Sequence, residues 1–288
     1  METRKLGNSG LVVSAIGMGC MPMSVPDTRP SEADAIGVIQ KAVEIGITFF
    51  DTADAYCLDQ SEIGHNERLI GKALSTLDSA TRARMVVATK AGIVRHERRW
   101  DSDGSPAHIK QSCDAALKNL GVAAIDLYQL HRPDPRVPLT DSVGAFAELQ
   151  AAGKIRHIGL SNVSVLDIEL AETVATITSV QNEFSRKTRK PQEDGVLAYT
   201  LKKSMAFLPW SPLGGIRGAK NVAAAEPMLE TLAVHHGVSP QQVVLKWMLL
   251  LAPNIIPIPG ASRRQSIIDS AAAINLNFKQ EEIEVLND

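Results

Sequence analysis

Asp51 closes the apolar run in TFFDTADAY and Tyr56 follows five positions later; Lys90 ends MVVATK, and His131 follows DLYQL. Brought together, these four would supply an ion pair, a titratable phenol and an imidazole. An ammonium favours the anion of a neighbouring phenol, so Lys90 is expected to draw Tyr56 down from its reference pKa of about 10 towards the range of a useful acid. A buried ammonium is costly unless paired, and Asp51 offers the counter-charge. Ser161 and Asn162 follow IRHIGL, and Gln181 and Asn182 follow ITSV, adding hydroxyl and amide groups. Any one of these could be an ordinary polar residue at an exposed strand end. As a set they combine chemistry that chance seldom assembles.

Residues so far apart in sequence meet only if their elements point the same way. Eight short apolar runs, SAIGMG, TFFDTA, MVVATK, DLYQL, IRHIGLS, ITSVQNE, MAFLPW and NIIPIPG, mostly alternate with helical patterns. Ile36, Ile39 and Val43 keep helical spacing between the cap Ser31, with Asp34, and the stop Gly46. Ser105 and Pro106 open a helix whose face Ile109, Cys113, Ala116, Leu117 and Leu120 ends at Gly121. Val143, Phe146 and Ala147 precede Gly153, and Ser239, Pro240 and Gln242 read as a capping box ahead of Val243, Val244, Trp247 and Leu251.

Strands alternating with helices imply parallel pairing with right-handed crossovers. The expected fold is α/β, a (β/α)8 TIM barrel forming one domain over 1–288, with a hairpin in RKLGNSGLVVS at its bottom. Residues just past the strands then converge on the C-terminal face, where barrel active sites lie. Loops at 21–30, 91–104 and 211–225 are expected to build the substrate pocket, with Met23 and Trp100 as walls. Residues 163–203 carry broken helical signals, 214–226 reads as a Gly- and Ala-rich loop, and after the last expected helix, KQEEIEVLND, no long C-terminal flap is expected.

With 30 basic and 32 acidic residues the net charge is -2, which suggests no nucleic acid or anionic membrane as partner. No run is long enough to span a bilayer and METRKLGNSG lacks the apolar core of a signal peptide, so a cytoplasmic location is expected. Cys20, Cys57 and Cys113 show no CxxC spacing, and the histidines pair only at His235 and His236, so neither a disulfide framework nor a metal site is expected. Oligomeric state is not written in these patterns.

In FFDTADAY, VVATKAG, DLYQLHRPD, GKIRHIGLSN, SVQNEFS, LPWSPLGG and IPIPGASR, spread in this order over nearly the whole chain, the sequence resembles the aldo-keto reductase superfamily. The resemblance implies that Asp51, Tyr56, Lys90 and His131 are a catalytic tetrad and that NADP(H) is the cofactor. No GxGxxG turn is present, GMGC at 17–20 being the nearest candidate, so the dinucleotide is held otherwise. By resemblance Gly19, Cys20, Met21 and Asp51 contact the cofactor, Ser161, Asn162 and Gln181 hold the nicotinamide carboxamide, and Trp210 stacks on its ring. Ser211, Pro212, Leu213 and Gly214 form a phosphate-side loop; Gly260, Ser262, Arg263, Ser266, Asp269 and Ser270 serve the adenosine end. A guanidinium at Arg263 suits a 2'-phosphate and would favour NADP over NAD.

The implied substrate is a small-molecule carbonyl, reduced by hydride while Tyr56 protonates the developing alkoxide and His131 orients the carbonyl. Histidine, where steroid double-bond reductases of the superfamily tend to carry glutamate, favours an aldehyde or ketone. The chain departs from the usual pattern at Cys57, often glycine, at Phe184, Ser266 and Ser270. A lysine aldolase acting through Lys90 would leave Tyr56 and the nicotinamide segments unexplained. A nicotinamide-binding regulatory subunit with little turnover, of the potassium-channel-associated type, would keep the barrel, but the intact tetrad argues against it.

Overall fold

The computed structural model describes residues 1–96 and 99–287. Its frame is a parallel sheet of seven strands: β1 Met18–Gly19, β2 Phe49–Asp51, β3 Val86–Ala91, β4 Ile125–Leu130, β5 Ile155–Ser161, β6 Ile177–Gln181 and β7 Ala206–Phe207. Neighbours in the sheet are consecutive along this series and every pair is parallel. Each crossover therefore carries a helix, beginning with Glu32–Glu44, His65–Ser75, Pro106–Leu120 and Leu139–Ala151.

The eighth run closes the ring without becoming a regular strand. On one side the Phe207 amide donates to the Asn254 carbonyl at 2.9 Å and the Ile256 amide to the Phe207 carbonyl at 2.9 Å; on the other, Gly17 donates to Pro257 at 2.9 Å and Gly19 to Pro259 at 3.0 Å. Pro257 and Pro259 have no N–H to return to β1, so this seam lacks donors that the other pairs possess. The fold is a (β/α)8 barrel whose last seam is bonded largely in one direction.

Side chains alternate across each strand. Phe49, Val86, Ala88, Leu127, Ala206, Leu208, Ile256 and Ile258 form the inner cluster, joined from below by Leu6 and Val13. Both belong to the N-terminal hairpin, in which Thr3–Lys5 pairs antiparallel with Val12–Ser14: Leu6 follows the first strand, Val13 lies in the second, and they plug the end of the ring opposite the strands' C-terminal ends.

Within the expected loop 91–104, Ile93–His96 and Arg99–Ser102 pair as an antiparallel hairpin; Glu97 and Arg98 lie outside the described residues. The stretch 214–226 holds two short helices, Gly215–Lys220 and Val222–Ala225, in keeping with its alanines. The broken region 163–203 contains Val165–Glu172, Lys190–Glu193 and Val196–Lys202. Ser239 caps its helix by accepting from the Gln242 amide at 3.2 Å, but the Gln242 side chain donates to Asp269 at 2.7 Å, so the reciprocal half of the box is missing. A complete box stands instead at Ser164 and Asp167. The last helix runs Gln280–Asn287, Asp288 lying outside the described residues. Among the described residues no helix is long and apolar enough to cross a membrane.

Candidate active site

The alternation that packs the lower ring with Phe49, Val86 and Leu127 brings Asp51, Ala88 and Gln129 to the same face two residues later, and Lys90 two beyond Ala88. Parallel register puts Asp51 beside Ala88 and Lys90 beside Gln129, so the polar layer crowns the apolar one. Gly159 of β5 makes room: a Cβ there would stand 2.8 Å from Cγ of Gln129 and 2.4 Å from Oγ of Ser179.

Lys90 is the hub, with 0 % exposure. Its ammonium donates to Asp51 Oδ2 at 2.7 Å, to the Thr52 carbonyl at 2.9 Å and to Tyr56 OH at 3.1 Å, which occupies all its hydrogens. Asp51 Oδ1 accepts from Gln181 Nε2 at 2.7 Å and from Gln129 Nε2 at 3.3 Å. A buried ion pair repays its desolvation only when the remaining lone pairs and protons are bonded too, and here they are. Because Tyr56 oxygen accepts from Lys90, its own O–H proton is left for another acceptor. Gln129 was not legible as a site residue: inside DLYQL it looks like an interruption, although it stands two positions before His131 in strand alternation.

Burial sets the proton affinities. It raises the Tyr56 pKa, and the Lys90 ammonium offsets this only in part, so the expected net fall is reversed in the free protein. Burial also disfavours the charge on Lys90, yet Asp51 and Tyr56 together outweigh it and its pKa is raised. His131 lies well below the ordinary imidazole range because of burial, then Lys90 and Arg132, and is therefore neutral. Its ring meets Tyr56 edge-on at 5.7 Å between centroids, and among the described residues its Nδ1 has no partner.

These groups border a cavity of about 270 Å³. Of the expected residues, Gly19, Met21, Asp51, Tyr56, His131, Ser161, Asn162, Gln181, Trp210, Ser211, Pro212, Leu213 and Gly260 line it. Trp100 is a wall, as expected, but Met23 is packed in the core with 0 % exposure. Lys90 lies beneath Tyr56, while Cys20 and Ser270 are buried. Gly214, Ser262, Arg263, Ser266 and Asp269 are not in the cavity wall; Arg263 is exposed just before helix Arg264–Ala272, and Asp269 accepts from Ser239 and Gln242, both at 2.7 Å. Ile93, Ile216 and Ala219, from loops expected to build the pocket, join the lining, and Arg132 does so unanticipated.

The residues present fit a nicotinamide. Trp210 offers an aromatic face, and its buried Nε1 has no partner among the described residues. Asn162 donates to the His131 carbonyl at 3.0 Å, which fixes the amide and leaves its oxygen as acceptor. Ser211, Gly214 and Gly215 take positive φ, the backbone shape that gathers amides for a phosphate. Cys57 is fully buried, its thiol pushed up to about 11 by burial, and it takes no part in the lining.

Behind the Asp51–Tyr56 loop a second polar layer is closed off. Thr52 donates to Asn66 at 2.6 Å, and Glu67 accepts from Thr89 at 2.6 Å and Asn119 at 2.9 Å. Burial pushes the Glu67 carboxyl up to about 7. A carboxyl whose pKa is higher folded than unfolded contributes stability that is complete below the unfolded value, about 4.3, and is lost as pH rises through the folded one. Glu67→Gln should therefore flatten the pH dependence. Between about pH 4 and pH 8 the parent is expected to lose on the order of 3 kcal/mol more than the variant in urea unfolding.

The model of the aldo/keto reductase family matches residues 15–288. "Probable aldo-keto reductase 1" of Glycine max is 34% identical, covering 97% of this chain and 86% of that protein. The crystal structure of the thermostable aldo-keto reductase Tm1743 with the inhibitor epalrestat superposes with a TM-score of 0.86 at 28% identity, covering 100% of this chain and 99% of that one. A Klebsiella pneumoniae aldo/keto reductase in complex with NADP and acetate shares the fold with a TM-score of 0.81 at 22% identity, covering 100% and 95%. With its family model matched over nearly its full length, the chain belongs to the aldo/keto reductase family.

Proposed function

We propose that the protein reduces an aldehyde or ketone to the alcohol, reversibly, with NADPH. The observation that carries this reading is the 3.1 Å hydrogen bond from Lys90 to the Tyr56 oxygen, which leaves the phenolic proton free beside the cavity. A bound reduced nicotinamide supplies hydride; Trp210, Ser161, Asn162 and Gln181 would hold it, with Ser211 to Gly214 on the phosphate side and Arg263 on the 2'-phosphate. As negative charge grows on the carbonyl oxygen, Tyr56 gives up its proton and Lys90 stabilises the phenolate left behind. An alkoxide is a much stronger base than a phenolate, so the raised pKa of Tyr56 does not obstruct the transfer. Neutral His131 donates a hydrogen bond to the same oxygen and sets its angle.

The test is oxidation of NADPH and NADH, side by side, with a panel of aldehydes and ketones. Turnover with NADPH exceeding that with NADH is expected, because the Arg263 guanidinium is matched to the extra phosphate. Tight NADPH binding with no oxidation by any carbonyl would reassign the chain to a binding subunit.

A further inference from the structure

Arg95, on the hairpin strand Ile93–His96, is 2 % exposed, and among the described residues no carboxylate pairs with it. Its Nη2 donates to the Leu58 carbonyl at 2.9 Å, and its backbone amide donates to Gln60 Oε1 at 3.2 Å. Both partners come from the loop that directly follows Tyr56. The guanidinium lies over the Trp100 ring, with Cζ 4.0 Å from the centroid. Trp100 is in turn a wall of the cavity, edge-on to Tyr56 at 6.3 Å and to His131 at 6.4 Å between centroids.

An apolar side chain could fill this volume without the desolvation that a guanidinium suffers. What the planar cation adds is direction, since it is drawn to the ring face and stacks flat upon it. One side chain thus fixes the indole relative to the loop that carries the proton donor. We propose that Arg95 is a positioning residue for Trp100 and that through Trp100 it sets the size of carbonyl substrate that reaches Tyr56 and His131. This rests on the carbonyl-reduction reading.

The test is a double-mutant cycle read as selectivity. In Arg95→Met the ratio of kcat/KM for 2-naphthaldehyde to that for propionaldehyde should rise roughly tenfold, mainly through KM, with NADPH affinity unchanged. Trp100→Ala should raise the ratio as well, and adding Arg95→Met to it should change nothing further. An unchanged ratio in Arg95→Met, or an equal further rise in the double variant, overturns the proposal. Should Arg95→Met fail to fold, Arg95→Lys keeps the charge and the stem but loses the flat face; it should show part of the rise, again abolished by Trp100→Ala. The Trp100 indole N–H resonance provides a readout without turnover: it should shift in either Arg95 variant, and an unmoved resonance overturns the proposal even if the parent reduces no carbonyl. Parent turnover alone judges the underlying activity.

Discussion

Tyr56→Phe should lower kcat for carbonyl reduction by about 10³-fold while leaving NADPH affinity within about twofold. The phenyl ring keeps the edge contacts with Trp100 and His131, so the cavity retains its shape. Lys90 loses one of three partners but keeps Asp51 at 2.7 Å and the Thr52 carbonyl at 2.9 Å, and the variant should fold. What disappears is the phenol oxygen that accepts from Lys90 at 3.1 Å. Stopped-flow hydride transfer and fluorescence titration with NADPH separate the two quantities, and substantial residual hydride transfer would remove Tyr56 from its role.

Lys90→Met should abolish activity and, unlike the tyrosine variant, destabilise the fold by about 3 to 5 kcal/mol, because one partner of a buried ion pair is removed. Asp51, 2 % exposed, would keep only its amide donors Gln129 and Gln181. Removing both charges in Lys90→Met/Asp51→Asn should recover much of that stability without recovering activity, since the uncompensated carboxylate is gone while the phenol still has no cation. Urea midpoints for the two single variants and the double variant measure this. Equal losses in Lys90→Met and the double variant would show that the pair is not coupled.

Strand alternation and parallel direction make Asp51, Lys90 and His131 legible, since Asp51 and Lys90 follow apolar positions of the same face and His131 continues that phase past β4, whereas Gln129 on the same face reads as an interruption and Tyr56 lies in the loop beyond β2. Helix starts were equally legible at Ser31 and Ser105, where a side chain accepts from an amide three residues on. What depends on the third dimension was not. The sign of the Tyr56 shift follows from how much water the loop excludes, which neighbouring charges in a sequence do not reveal. Met23 has a suitable position along the chain for a pocket wall, yet its side chain turns into the core. The hairpin at 93–102 was hidden because Arg95 and Ser102 share the inward face with Ile93 and Trp100 and break the apolar alternation, and Arg95, inside the protein, occupies a place where a charge reads as solvent-facing.

The seam at residues 254–260 has a consequence for how the molecule is held shut. A ring is as firm as its weakest join, and this one, where prolines interrupt the ladder, ends at Gly19 and Gly260, which face each other across a single bridge at the lip of the cavity. A dinucleotide held as proposed against that lip would touch both sides of the join, and its occupancy would act as a clasp. The loaded enzyme should resist unwinding there more than anywhere else on its circumference.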